Sequence, residues 1–245
     1  MQSGFYLSGV ASQMTQQKLN DINHNLANVN TIGFMASRSS FSSTLADQIN
    51  GQTVASPTSY SSYNNSFVDM KEGNIRATGN DLDFAIQGNA FFKVRLDNGE
   101  AAYTRAGNFK LGANGGLLTQ SGQPVLDQGG AEIVLPAGKV TASQDGTLSV
   151  DNNPVTRFGM VTIMDASLLD RHGNTLMTTP VENTAPAEEG VTVRQGSVEG
   201  SNVNSILAMT EMVATTRSFE ATMKIIEQYN QQTSQLNDRV GMVQG

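Results

Sequence analysis

The residue types that most often do chemistry are scarce in this sequence. There are two histidines, His24 and His172, and no cysteine in 245 residues. Without cysteine there is no disulfide, no thiolate nucleophile and no Cys-based zinc site. His24 stands among polar residues, and His172 lies in the turn-like run Asp170-Arg171-His172-Gly173-Asn174. Neither has a partner at metal-ligand spacing, so both read as solvated or turn residues. Glu188 and Glu189 could imitate the carboxylate pair of a glycosidase acting on cell wall. They are adjacent residues in a polar acidic loop, Val181 to Gly190, and read as solvated. Asp81-Leu82-Asp83 and Asp151-Asn152-Asn153 offer oxygens for calcium, but neither completes a ligand loop. Nucleophile elbows, phosphate loops and zinc-helix motifs are absent. The expectation is no catalytic residue, no cofactor and no metal.

The polar positions beside apolar stripes say more, and the elements that carry them lie at the two ends of the chain. Residues 5–29 place Leu7, Val10, Ala11 and Met14, then Leu19, Ile22, Leu26 and Val29, at helical spacing. The stripe slips between the two groups, closer to an 11-residue than a 7-residue repeat. Asn23, Asn25, Asn28 and Asn30 crowd the last turns although Asn is a poor helix former, so something besides propensity holds this end. Asn25 and Asn28 can offer amide donors and acceptors to a neighbouring helix. Gly33 is placed to stop the helix in the left-handed conformation, with Phe34 folding back toward Val29.

At the other end, residues 206–240 read as a second helix, with Asn202 or Asn204 as its cap. Met209, Met212, Phe219, Met223, Ile226 and Val240 form one heptad seam, completed by Thr216, Asn230, Thr233 and Asn237. The seam is apolar early and polar late, so the last turns are marginal alone. An isolated amphipathic helix gains stability only when its stripe is buried. Both ends are therefore expected to order fully on assembly.

Between the ends the pattern changes. Residues 36–75 are rich in Ser, Thr, Tyr and Asn and read as an extended linking segment with a hairpin. From about residue 76, period-two patterning and regular turn signals predict short strands. Two are expected within Asp83 to Val94, joined at Gly88-Asn89. Others are expected at 103–111, 116–119, 131–135, 139–143, 147–150, 155–164, 175–179 and 191–198. The predicted fold class is α+β and discontinuous. Long N- and C-terminal α-helices (1–35 and 201–245) pack as a coiled-coil-like helical domain, with an all-β domain (76–200) inserted between them.

Charge narrows the function classes. The net charge is −7 and the 15 basic residues are scattered, which argues against nucleic acid. No apolar run approaches the roughly 18 residues of a membrane span, so lipid insertion is not expected. The first residues lack a basic region followed by an apolar one, so no cleaved secretory signal is expected.

The stretch Asn25-Leu26-Ala27-Asn28-Val29-Asn30-Thr31-Ile32-Gly33-Phe34 resembles the N-terminal signature of bacterial flagellar axial proteins. Met35 stands where that pattern carries a basic residue. Asp81 to Phe92, Tyr103 to Phe109 and Gln144 to Leu148 resemble the rod and hook branch of the family. Glu199 to Asn204, with Ala208 to Val213 and Arg217 to Glu220, is similar to its proximal rod members, and the distal rod members are the nearest relatives. The resemblance implies a structural subunit of the basal-body rod, a drive shaft that carries motor torque to the hook. It implies terminal helices that form the inner tube and a β-domain facing outward. It implies as partners other copies of the chain, neighbouring proximal and distal rod subunits and the flagellar type III export apparatus, in a rod crossing the periplasm. The residues expected at the assembly interface are Leu19, Ile22, Asn25, Leu26, Asn28, Val29, Gly33, Phe34, Met209, Met212, Phe219, Met223 and Ile226. A distal rod or short hook protein is the alternative, and a secreted cell-wall-active enzyme a remote one.

Overall fold

The computed structural model describes residues 2–45, 59–187 and 190–241, with side chains over 8–39, 67–187 and 190–235. Glu188 and Glu189 therefore lie outside the described residues. Two helices occupy the ends, α1 (Gln2–Ala27) and α2 (Ser205–Gly241). Among the described residues, neither is long and apolar enough to cross a membrane. Between them run β1 (Ser37–Leu45), β2 (Ser59–Val68), β3 (Ile75–Ala77), β4 (Phe84–Gln87), β5 (Phe91–Arg95) and β6 (Ala101–Thr104). Then come β7 (Lys110–Leu111), β8 (Leu117–Leu118), β9 (Val140–Ala142), β10 (Thr147–Val150), β11 (Asn153–Arg157) and β12 (Met160–Ile163). The last strands are β13 (Asp170–His172), β14 (Leu176–Thr178), β15 (Thr184–Pro186), β16 (Thr192–Gln195) and β17 (Ser197–Glu199).

The chain divides into two compact units. One holds residues 1–26, 37–66 and 205–245; the other holds 27–36 and 67–204. In the first unit β1 pairs with β2. In the second, a six-stranded sheet runs β13-β14-β6-β5-β12-β15, beside a three-stranded sheet β11-β10-β9 and the pairs β16-β4, β17-β3 and β7-β8. The alternation of side chains along β5 explains how the large sheet is covered on both faces. Phe92 enters a core with Phe84, Phe109 and Phe158, whose rings meet edge to face at 5.1 Å in three of the pairs. Phe91 points the other way, into a second core with Met35, Val68, Tyr103, Ile163, Leu169 and Met177.

Expected strands at 155–164 and 191–198 are each two strands. The first breaks at Phe158-Gly159 and the second at Gly196, whose φ is +69°. The strand expected at 103–111 is interrupted after Thr104, because Gly107 passes so close to Phe84 that a Cβ would sit 1.7 Å from its carbonyl oxygen. Asp151 and Asn152 both take positive φ, 51° and 66°, and link β10 to β11 as a tight primed turn.

The α+β class and the β-rich middle agree with expectation; the coiled-coil-like helical domain does not. A coiled coil needs both half-seams of a heptad locked into a partner. Along α2, Met209 and Met223 of the expected seam remain 53% and 45% exposed, and Ile206, Leu207, Val213 and Ile225 are exposed as well. The covered positions are Ser205, Ala208, Met212, Thr215, Thr216, Phe219, Thr222, Ile226 and Tyr229. They share Met212, Thr216, Phe219 and Ile226 with the expected seam. Ala208, Thr215, Thr222 and Tyr229 stand one residue away from it.

Candidate functional site

The end of α1 and the approach to α2 are the places where the sequence concentrates unusual residues, and most of them carry directional bonds. On α1, Ile22 is buried and Leu19, Asn25 and Leu26 are half-buried; just past its end Asn28 is buried and Val29 half-buried. Asn25 spends both ends of its amide on one residue. Its Nδ2 donates to the Ser37 carbonyl at 2.8 Å and its Oδ1 accepts the Ser37 N–H at 2.9 Å. The amide that could have served a neighbouring helix thus fastens the start of β1. Asp21 lies one turn earlier with a buried Oδ2 that has no hydrogen-bond partner. Burial pushes its carboxyl up, against the opposing pull of Ser39, Gln17 and the His24 charge.

After α1 the chain turns through Asn28, whose Oδ1 accepts the Thr31 hydroxyl at 3.0 Å. Gly33 takes the left-handed conformation, φ +68°, but α1 already ends at Ala27, so Gly33 is not the stop of that helix. Its N–H donates to the Glu199 carbonyl at 2.8 Å. A Cβ at Gly33 would lie 2.2 Å from the Ala106 backbone nitrogen. Glycine is needed here for close approach as well as for its φ. Phe34, only 1% exposed, lies under the Arg171 guanidinium, 4.8 Å from ring centroid to Cζ. Met35 is buried in the second core, and its carbonyl accepts a bond from Arg171 Nη2 at 2.5 Å. Burial pushes the Arg171 guanidinium down.

The approach to α2 is fixed to the same place. Asn202 does not stand at the α2 boundary, since that helix begins at Ser205. Its Oδ1 accepts the Ala36 N–H at 2.7 Å, its Nδ2 donates to the carbonyls of Asp69 and Lys71 at 2.8 and 2.9 Å, and its backbone N–H donates to Phe34. Glu199 is buried with Arg105. Their side chains meet at 3.1 Å, and the other Glu199 oxygen accepts the Gly73 N–H at 2.7 Å. Arg105 also donates to the Gly88 carbonyl and lies over the Phe91 ring. Burial pushes the Glu199 carboxyl up, opposed by Arg105 and the Gly73 N–H. Among the described residues there is no cluster of acidic and histidine side chains able to hold a metal ion.

On α2, Met212, Phe219 and Ile226 are half-buried and Met209 and Met223 exposed. Ser12 of α1 donates weakly to the Met223 sulfur at 3.7 Å. Beside them lies a shallow groove of about 270 Å³ lined by Met14, Thr15, Lys18, Ala214, Thr215 and Ser218.

Two family models match this chain. One describes the flagellar hook protein FlgE/F/G D1 domain and covers residues 85–150. The other describes the flagellar basal body rod FlgEFG protein C-terminal region and covers residues 194–239. The chain is 34% identical to the flagellar basal-body rod protein FlgF of Mesorhizobium japonicum, over 93% of each chain. It is 32% identical to FlgF of Caulobacter vibrioides, over 99% of this chain and all of the relative. The chain belongs to the FlgF-type flagellar basal-body rod proteins. The rod protein FlgG of Bacillus subtilis is also similar, 32% identical over 89% of this chain and 92% of its own. The protein is a structural subunit of the flagellar basal-body rod, and the basal body is where it resides.

Sequence reasoning did not single out the roles of Arg105, Arg171 or Asn202. Each is a lone long or amide side chain near apolar strands, a signal with no direction until the partner strand is known. Of the expected interface residues, Gly33 and Phe34 lie inside the β-rich unit, whereas Met209 and Met223 face outward on α2.

Proposed function

We propose that this rod protein is a proximal rod subunit, a non-enzymatic part that joins copies of itself and neighbouring rod subunits into a torque-carrying shaft. Its terminal helices form the tube, its β-rich unit faces outward, and the chain reaches the periplasm through the flagellar type III export apparatus. The reading rests most on the exposed apolar residues of α2. Ile206, Leu207, Met209, Val213 and Met223 put a row of large apolar side chains in water on a helix that is not membrane-spanning. Such a surface is stabilised when helices of other subunits cover it, at roughly 25 cal/mol per Å² of apolar area. The expected interface residues Leu19, Ile22 and Leu26 on α1, and Val29 just past it, belong to the same packing on this reading.

The test is complementation of a strain lacking the gene with Met209→Asp and Met223→Asp together. Purified basal bodies are then probed for the protein, and the soluble β-rich unit is checked by amide exchange. Loss from the basal bodies with a folded β-rich unit supports the packing role. Normal incorporation of the double variant refutes it.

A further inference from the structure

The backbone passes between the two compact units four times, at 26/27, 36/37, 66/67 and 204/205. On the β-rich side, the segments leading to these passages are held together by one amide. Asn202 takes the Ala36 N–H on its oxygen and gives both amide hydrogens to Asp69 and Lys71, while its own N–H bonds Phe34. Asp69 N–H in turn donates to the Ala36 carbonyl at 2.8 Å. The passage at 26/27 is reached through Gly33, which bonds the Glu199 carbonyl three residues before Asn202. Every hydrogen-bonding position of the Asn202 amide hydrogens is used, and all its partners are main chain. A primary amide at that point accepts one main-chain bond and donates two at once, which a hydroxyl with its single hydrogen cannot do.

We propose that Asn202 is a load-sharing node: it ties the segments behind all four chain passages so that force entering by one is distributed to the others. Untied, a pull between the units falls first on whichever passage is shortest. Tied, the segments 33–36, 69–73 and 199–202 yield together. The load-bearing part of this role rests on the rod reading above; the tie itself does not.

A matched comparison exists in the same unit. Gln195 has the same chemistry, accepting the Ala142 N–H and donating to the carbonyls of Asp81 and Val140. It lies away from the four passages. Full-length Asn202→Ala and Gln195→Ala proteins are compared with wild type by amide hydrogen exchange. Asn202→Ala is expected to speed exchange at 33–36 and 69–73 by roughly 10- to 100-fold while residues 84–95 keep wild-type rates. Gln195→Ala is expected to loosen 140–142 and leave 33–36 unchanged. Asn202→Asp keeps the acceptor for Ala36 but sets a carboxylate against two carbonyls, so it is expected to loosen 69–73 more than 36. Cells carrying Asn202→Ala are expected to lose swimming speed in viscous medium more than in dilute buffer; Gln195→Ala cells are not. Wild-type exchange at 33–36 in Asn202→Ala, or equal loosening of 84–95, overturns the tie. Loosened exchange with undiminished swimming under load overturns the load-sharing role. Absence of the wild-type protein from purified basal bodies overturns the rod reading instead.

Discussion

Gly33→Ala tests a close backbone approach within the β-rich unit. Two separate costs are expected. A residue with a Cβ held at φ +68° costs about 1–2 kcal/mol. The new methyl would also overlap the Ala106 nitrogen and Cα at 2.2 and 2.4 Å and the Arg105 carbonyl carbon at 2.6 Å. Those atoms are backbone and are not free to retreat. Ala106 N–H bonds the Thr104 hydroxyl, and Arg105 is held by Glu199 and Gly88. Relief must come from the Gly33 side, at the expense of its bond to Glu199 and of the seating of Phe34. Overpacking of this kind costs about 1–3 kcal/mol, giving about 2–5 kcal/mol in all. Gly79→Ala is the internal reference. Gly79 has φ +75° but nothing within 4 Å of its would-be Cβ, so it should lose only the conformational part. Urea unfolding of both purified variants, followed by far-UV circular dichroism, measures the difference. With a urea slope of about 1–3 kcal/mol per molar, the Gly33 midpoint should fall well below that of Gly79→Ala. Equal midpoints would show that the Ala106 contact yields freely and would refute the steric part.

Leu26→Asp, placing a charge on the half-buried stripe of α1, should block incorporation into the rod while amide exchange shows the β-rich unit intact. Retained motility would sink the packing role. Glu199→Ala removes the carboxyl from both Arg105 and the Gly73 N–H and should cost about 3–5 kcal/mol, read by chemical denaturation. The pH response has a definite sign. Because the folded carboxyl of Glu199 is raised by burial, its contribution to stability is present below the ordinary carboxylate range and declines as pH rises through the raised value. The stability of wild type relative to the neutral Glu199→Gln variant should therefore fall from about pH 4 to pH 7, and a rise would contradict the assignment. Arg171→Ala should cost about 1–3 kcal/mol through the lost contact with Phe34 and the lost bond to Met35, and a change under 0.5 kcal/mol, the range of a neutral surface substitution, would contradict it.

Local signals proved readable where one residue type permits one conformation. The left-handed conformation of Gly33 was legible from its lack of a Cβ; the positive φ of Asp151 and Asn152 was not, because both residues carry one. The strand at 147–150 was equally plain, because Leu148 and Val150 alternate with polar residues. What the sequence hid was pairing. Gly196 and Phe158-Gly159 split strands that period-two patterning joined. The heptad count could not tell which of two adjoining stripes on α2 is covered, since Met212, Phe219 and Ile226 belong to both. Whether Met209 or Ala208 completes the stripe depends on a neighbour that periodicity does not contain. The same limit applies to Asn202. An amide before a helix suggests a cap, and only the fold brings Ala36, Asp69 and Lys71 around it.

The segments 33–36, 69–73 and 199–202, with the side chains around them, combine two kinds of cohesion that do different work. Met35, Val68 and Met177 supply apolar burial, which favours closeness but tolerates sliding, since Met packs in many ways. Arg105, Arg171, Glu199 and Asn202 supply bonds with fixed direction, each to a particular backbone group or partner charge. A buried ion pair is a poor source of net stability compared with apolar residues of the same volume. Its use here follows from what apolar packing cannot do. A shift of one residue in segment 33–36 would leave Met35's carbonyl, the Ala36 N–H and the Gly33 N–H without partners, and each loss is costly in a dry site. The register of the chain where it leaves the β-rich unit is thus set by the bonds, and the apolar core holds the segment in place once that register is reached.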